Sequence, residues 1–282
     1  MMSGPVEALA TGKALADLSS WRKIEVSGAD AVSWLDALVT ADLEAMRPGS
    51  ARRSLLLSPT GGVRADFTVA NRNGDLLLIQ DPSQPRSILD LLSPYVLSSD
   101  VQLSDRSEDL ALFAFPGLTI APDVPGATPS VPSCLGQGAD LIAPVEGHDR
   151  FLSDMADTFA LAARDDVEAW RVRAGIPRFG QDVTEEDLPQ EGGLEAAVSF
   201  GKGCFLGQEA VAKVRNLGHP RRVLLLVEAD AALRQGDQIF SEEASIGTVT
   251  SASGSIAMAK VRWQAREGPF RTSDGSELRV RT

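Results

Sequence analysis

The residues best placed to do chemistry are Lys202-Gly203-Cys204-Phe205-Leu206-Gly207-Gln208-Glu209, where one of only two cysteines sits beside a lysine, between glycines and just ahead of a Gln-Glu pair. Cysteine acts through its thiolate, and a nearby cation favours that form, so Lys202 is expected to lower the Cys204 pKa and leave the thiol partly accessible. Gly201, Gly203 and Gly207 permit positive φ or the close approach of a ligand to the main chain. The same residues also describe a glycine-rich turn into a helix, with Cys204 as a small buried hydrophobe. Local composition leaves both readings open.

Around this octet, Ala174-Gly175-Ile176-Pro177, Leu188-Pro189-Gln190-Glu191 and Val198-Ser199-Phe200-Gly201 precede it in order, and a Lys/Arg-rich stretch follows. With these elements the segment from Trp170 to Leu226 resembles the signature region of the YgfZ-type folate-binding proteins, relatives of the aminomethyltransferase (T-protein) of the glycine cleavage system. The resemblance extends to the amino-terminal third through Val26-Ser27-Gly28-Ala29-Asp30-Ala31, Trp34-Leu35, Leu38-Val39-Thr40-Ala41-Asp42 and Leu57-Ser58-Pro59 before Gly61-Gly62. Pro116 to Gly138, a proline-rich stretch, matches no part of it.

The resemblance implies an α+β fold of antiparallel sheets and helices with a small carboxy-terminal β-barrel, and tetrahydrofolate or a one-carbon derivative as cofactor. It also implies a role in iron–sulfur cluster assembly or repair and, through client enzymes, in tRNA modification, with iron–sulfur client or assembly proteins as partners. The alternatives are a folate-dependent aminomethyl or one-carbon transferase, a thiol enzyme using Cys204 with His219 as base, and a binding protein without turnover.

A pterin is flat and hydrogen-bonds along one edge, so its site needs aromatic walls and a carboxylate, while an anionic glutamyl tail calls for Lys or Arg. Trp21 stands where the resemblance places a folate-contacting Trp. The second such Trp would fall nearer Val167, which leaves Trp170 one helical turn displaced, as wall or as core. Tyr95 is a further candidate wall. Glu191, Gln208 and Glu209 are candidate polar contacts, and Lys213 and Arg215 candidate tail contacts. In the aminomethyltransferases two adjacent acids follow the Gly-Gly turn, and an Asp there is linked to handling the folate nitrogen. Here the pair reads Ala65-Asp66, which argues against the transfer chemistry and leaves Asp66 as a ligand contact.

Composition narrows the remaining classes. A formal net charge of −12 opposes broad nucleic-acid binding. Eight Lys or Arg between Arg171 and Arg222 are interspersed with seven acids, a mixed surface. A phosphate loop would need Gly at position 196 and Ser or Thr at 203, where the chain has Ala196 and Gly203. Two histidines and two unpaired cysteines supply neither a zinc site nor the thiolates of an iron–sulfur cluster. No apolar run reaches the ~18 residues of a membrane span. The amino terminus does not read as a secretory signal, so a reducing, cytoplasmic setting is expected.

Three modules are expected: an α+β folate-binding module over 1–100, a second α+β module with the octet over 101–220, and a β-barrel over 221–282. Ser27-x-x-Asp30 reads as a capping box opening a helix near 29–39. Leu55-Leu56-Leu57 and the alternating Val63, Ala65, Phe67 and Val69 read as a hairpin about Ser58-Pro59-Thr60-Gly61-Gly62, continued by a strand at Leu76–Ile79 beyond a turn over 71–75. Arg64, Asp66 and Thr68 then share the opposite face, either solvent or a ligand floor. Leu110–Phe115 and Leu141–Ala143 read as strands, and Phe151, Leu152, Met155, Phe159 and Ala162-Ala163 as one helix. Short apolar runs from Val223 onward, separated by turn signals, read as the barrel.

Overall fold

A computed structural model describes residues 4–72, 74–128 and 130–281; Asn73, inside the turn expected over 71–75, lies outside them. The chain forms two compact units that are not consecutive in sequence. The first comprises Met1–Leu56, Ala65–Val167 and Gly201–Phe205, and the second Leu57–Arg64, Glu168–Phe200 and Leu206–Thr282.

The first unit holds α1 (Pro5–Ala10), β1 (Ala14–Asp17), β2 (Arg22–Ser27), α2 (Ala31–Asp36), β3 (Ala51–Leu57, up to Leu56), β4 (Val63–Arg72, from Ala65 onward), β5 (Asp75–Gln80), α3 (Ile88–Leu92), β6 (Gln102–Asp105), β7 (Leu110–Phe115), β8 (Val131–Pro132), β9 (Ala139–Pro144), α4 (His148–Met155) and β10 (Ala160–Leu161). They build two five-stranded sheets, ordered β3-β4-β5-β2-β6 and β10-β1-β7-β9-β8. Leu110–Phe115 is apolar at every position because it is a central strand covered on both faces. Asp66 and Thr68 are buried as well, so the polar face of β4 is not a solvent face.

Two helix expectations are corrected. The helix expected near 29–39 is α2, which runs only from Ala31 to Asp36, and the Asp30 side chain does not cap it: its carboxylate accepts from the Asp100 amide at 2.8 Å. The helix expected across 151–163 ends at Met155. Residues 160–161 instead form β10, which pairs in parallel with β1 through Ala14 opposite Ala160 and Leu15 opposite Leu161. Main-chain pairing with a neighbouring strand outcompetes the helical spacing of Phe159 and Ala162.

In the second unit lie α5 (Arg164–Arg173, from Glu168 onward), α6 (Gln208–Leu217), β11 (Arg222–Ala229), β12 (Gln238–Ser241), β13 (Ala244–Ser253), β14 (Ile256–Arg262), β15 (Phe270–Thr272) and β16 (Glu277–Val280). The six strands close into a barrel in the order β11-β14-β13-β12-β15-β16. Val227, Ile239, Val249, Ala257, Ala259, Val261 and Phe270 fill it. Closure leaves no unpaired edge on so short a set of strands. The α+β fold with a carboxy-terminal barrel is thus as expected. No helix among the described residues is long and apolar enough to cross a membrane.

Candidate functional site

Trp21 and Asp66 both belong to the first unit, where a polar network runs from Arg22, the residue after Trp21, to Asp66 and Arg53. Asp66 on β4 is 8% exposed, and both its oxygens accept from Arg53 on β3: Nε donates to Oδ1 at 2.8 Å and Nη2 to Oδ2. Burial works against the guanidinium charge. The charge and hydrogen bonds of Asp66 outweigh it and hold Arg53 above its ordinary pKa, with a further contribution from Cys134. The Asp66 main chain is gripped by the Gln84 amide, whose Oε1 accepts from the Asp66 N–H at 3.2 Å and whose Nε2 donates to the Asp66 carbonyl at 2.5 Å. Gln84 thus acts as a neighbouring strand would.

Gln80 continues the chain of contacts. Its Nε2 donates to Gln84 Oε1 at 3.1 Å, and its Oε1 accepts from Arg22 Nη1 at 3.2 Å. Arg22 also donates to the carbonyls of Gln84 and Pro82, at 3.0 and 3.2 Å. Trp21 is the residue before it, half-buried, on a turn closed by its own N–H to the Leu18 carbonyl at 2.8 Å. That turn is fixed by Lys23, a fully buried ammonium that donates to the carbonyls of Ser19 at 2.6 Å and Trp21 at 2.7 Å. Burial pushes Lys23 down to about 8, against the pull of Asp105 and Asp17.

The same unit contains the second cysteine. The Cys134 amide donates to Asp140 Oδ2 at 2.8 Å. Burial, then the charge and hydrogen bond of Asp140, push the Cys134 thiol well above its ordinary range. Asp140 has no exposed surface, and burial raises it to about 6 despite the Cys134 N–H and the Ser133 hydroxyl. Nearby, a cleft of about 600 Å³ opens between Pro116–Ile120 and Ser130–Pro132, with Gln137 and Gly138. It carries no charged side chain and does not match an anionic ligand.

Lys202 has a different task from the one its spacing to Cys204 suggests. Its side chain is 2% exposed, and Nζ donates to the carbonyls of Asp36 at 2.5 Å, Val39 at 3.0 Å and Ala41 at 2.7 Å while pairing with Asp36 Oδ1 at 3.0 Å. These are the orphan carbonyls at and beyond the end of α2, which explains why that helix stops at Asp36. Desolvation lowers the Lys202 pKa, against the pull of Asp36. Cys204 itself is exposed, so the buried-hydrophobe reading does not hold.

The remaining candidates group with the second unit. Trp170 is 7% exposed and belongs to the core. Glu191 is 1% exposed and structural: Oε2 accepts from the Leu188 amide at 3.2 Å and Oε1 from the Arg221 amide at 3.1 Å. Gln208 and Glu209 open α6 behind Gly207 at φ 79°, where a Cβ would come within 2.4 Å of the Ser58 carbonyl oxygen. Glu209 is exposed in the first helical turn, a position favoured for an acid by the dipole. The Arg215 guanidinium lies 4.0 Å from the centre of the Phe200 ring, and Lys213 is exposed. His219 stacks on Trp263, with Nδ1 2.9 Å from the Pro220 carbonyl, so that nitrogen is tied to its own turn.

Sequence reasoning missed Arg22, Lys23, Arg53, Gln80 and Gln84. For Arg53 a signal was present: it stands five residues before Ser58 and Asp66 four after Gly62, which sets opposite charges at nearly matching distances from the hairpin turn.

Comparison with known proteins agrees with this fold. Residues 3–118 match the GCVT N-terminal domain, and residues 221–282 the CAF17 C-terminal β-barrel domain. The aminomethyltransferase of Bacillus subtilis is 26% identical over 290 residues, covering 90% of this chain and 79% of that protein. That of Listeria monocytogenes is 27% identical, covering 97% and 83%. The crystal structure of glycine cleavage system aminomethyltransferase T from Bartonella henselae superposes with a TM-score of 0.81 at 20% identity, over 99% of this chain and 88% of that one, which is agreement of fold.

Proposed function

We propose that this chain, which joins a GCVT domain to a CAF17 barrel as in the YgfZ/CAF17 family and is aminomethyltransferase-like, binds a tetrahydrofolate and supports iron–sulfur cluster assembly or repair in the cytoplasm. The observation that carries the folate half is the continuous network Arg22–Gln80–Gln84–Asp66–Arg53, which joins the turn of Trp21 to a fixed carboxylate. These residues fit the group. The half-buried indole offers a wall to a flat ring, Asp66 offers acceptor oxygens to pterin N–H groups, and the guanidinium of Arg53, 30% exposed, favours anionic ligand parts nearby. Bound tetrahydrofolate would supply a nitrogen that carries a one-carbon unit.

The residues of the chain would bind and orient. Lys23 holds the Trp21 turn, and Gln84 and Arg53 hold Asp66 from its two ends. Cys204 is assigned to contact with client proteins because it is exposed between Gly203 and Phe205. Through iron–sulfur clients the role would extend to tRNA modification.

The second reading, an aminomethyl or one-carbon transferase, is favoured by the relatives. It is disfavoured by Ala65 in place of an acid and by the engagement of both Asp66 oxygens. In cells, Cys204→Ser should leave the protein folded and lower the activity of iron–sulfur client enzymes, while a thermal-shift assay should show stabilisation that grows with reduced folate. Full client activity in Cys204→Ser would remove the assigned role of the thiol. No shift at saturating folate would remove the folate half.

A further inference from the structure

The barrel carries a like-charge contact that its fold does not require. Arg222 on β11 lies directly opposite Arg262 on β14 in the antiparallel pair. The next register partners, Val223 and Val261, belong to the barrel core, so Arg222 and Arg262 both project from its outer face. Directly opposite residues hold their Cβ atoms about 5 Å apart, and like charges at that spacing cost stability. Arg222 has a partial counter-charge in Asp187 Oδ1 at 3.6 Å, while the other oxygen of Asp187 pairs with Lys260 at 2.6 Å. Arg262 is exposed and makes no hydrogen bond or ion pair among the described residues.

The charges around this pair are sorted by depth. Arg221 is exposed like Arg262 and Arg222 is partly exposed, whereas the carboxylates beside them, Glu191 and Asp187, are buried. Glu185 and Glu186, exposed in the turn before Asp187, form no ion pair among the described residues. Arg266 rests 3.9 Å from the centre of the Trp263 ring, and Trp263 follows Arg262 and donates its N–H to the Arg221 carbonyl at 3.0 Å. Glu267, paired with Arg266 at 2.9 Å, is the only exposed acid bound to any of these arginines among the described residues. A positive surface thus stands on a chain whose formal net charge is −12. A local rule broken without compensation in the fold marks a surface kept for binding.

We propose that Arg221, Arg222, Arg262 and Arg266, at one end of the barrel, dock an acidic segment of a partner protein. Guanidinium forks match carboxylates in plane and spacing, and a positive patch on an acidic chain steers an acidic partner to one place. Nucleic acid fits less well. Its single strands stack on open rings, and the indole at this patch is taken by His219, stacked at 5.4 Å, and by Arg266. A polyphosphate running on past the patch also meets the net negative charge of the chain, while a short acidic segment ends within it. The surface is independent of the folate site and of Cys204, so it stands or falls apart from them.

Fluorescence anisotropy of a labelled peptide of alternating Asp and Glu, titrated with the full chain at low ionic strength, tests this beside a single-stranded oligonucleotide of equal charge. The peptide should bind saturably and more weakly as salt is added. Arg262→Gln should lower its affinity about fivefold. Arg279→Gln, which removes an exposed cation at the far end of β11, should leave it unchanged. Because Arg262 has no partner to lose, Arg262→Gln should unfold at the native Tm or above it. Arg222→Gln gives up Asp187 and can fail to fold, so Arg262→Gln decides the matter. No peptide binding at low salt, equal affinity in native protein and Arg262→Gln, or a lower Tm in Arg262→Gln overturns the proposal. Tighter binding of the oligonucleotide, lost in Arg262→Gln, overturns the protein partner and assigns the surface to nucleic acid.

Discussion

Replacing Lys202 with Met separates the role seen in the fold from the one suggested by its spacing to Cys204. The substitution keeps the apolar stem and removes the ammonium, leaving the carbonyls of Asp36, Val39 and Ala41 without that donor and Asp36 without its counter-charge. Asp36 keeps one contact, the Leu43 amide at 2.7 Å on Oδ1. Breaking a buried ion pair by removing one partner costs about 3–5 kcal/mol, and the remaining Leu43 contact argues for the lower end. At roughly 2–4 °C per kcal/mol for a chain of this size, a loss of about 3 kcal/mol lowers Tm by about 6–12 °C. Thermal and urea unfolding of native protein and Lys202→Met measure this. Alkylation of Cys204 against pH, below the transition, measures the other role: the two proteins should give superimposable curves, because the ammonium serves α2. A loss under about 1 kcal/mol, together with an alkylation curve displaced to higher pH in the variant, would refute the reasoning and return Lys202 to the thiol.

Three further outcomes are expected. Cys204 should alkylate faster than Cys134 in the folded protein, since Cys204 is exposed while burial and Asp140 hold the Cys134 thiol protonated; equal rates in single-cysteine variants would contradict this. Because the folded Asp140 carboxyl titrates at about 6 and its ordinary value is 3.8, the folded state binds its proton more tightly, and its contribution to stability is full below pH 3.8 and lost as pH rises through about 6. Asp140→Asn should abolish that loss, so native protein should fare better against the variant at pH 4 than at pH 7 in urea unfolding; a difference that does not vary with pH would count against the burial of a charge there. Purified protein given an aminomethylated lipoyl carrier and tetrahydrofolate should form little methylene-tetrahydrofolate, and robust turnover abolished by Asp66→Asn would promote the transferase reading.

Much of the fold was legible because it is written in local pattern. The β3–β4 hairpin follows from alternation about a Ser-Pro-Thr-Gly-Gly turn, and the barrel from short apolar runs between turns. The end of α4 was not legible, since Phe159 and Ala162 keep helical spacing while the pairing of β10 with β1 is set by residues about 146 positions earlier. The candidate site divides in the same way. Trp21, Asp66 and Cys204 could be named from motif and resemblance, and Cys204 is exposed as its glycine neighbours suggested. What fixes them could not, because Arg53, Gln84 and Lys23 act through contacts that appear only when strands and turns come together. Lys202 shows the limit most directly. Proximity in sequence pointed to Cys204, while its ammonium bonds to carbonyls more than 160 residues away along the chain.

The central claim, a folate held against Trp21 and Asp66, is tested most directly by calorimetric titration of tetrahydrofolate into native protein and Trp21→Ala. The account predicts saturable binding to native protein at one site and an affinity lowered about tenfold in Trp21→Ala, with folding intact, as expected for loss of roughly 1–1.5 kcal/mol of ring stacking. No heat of binding to native protein, or equal affinity in the two proteins, would contradict it.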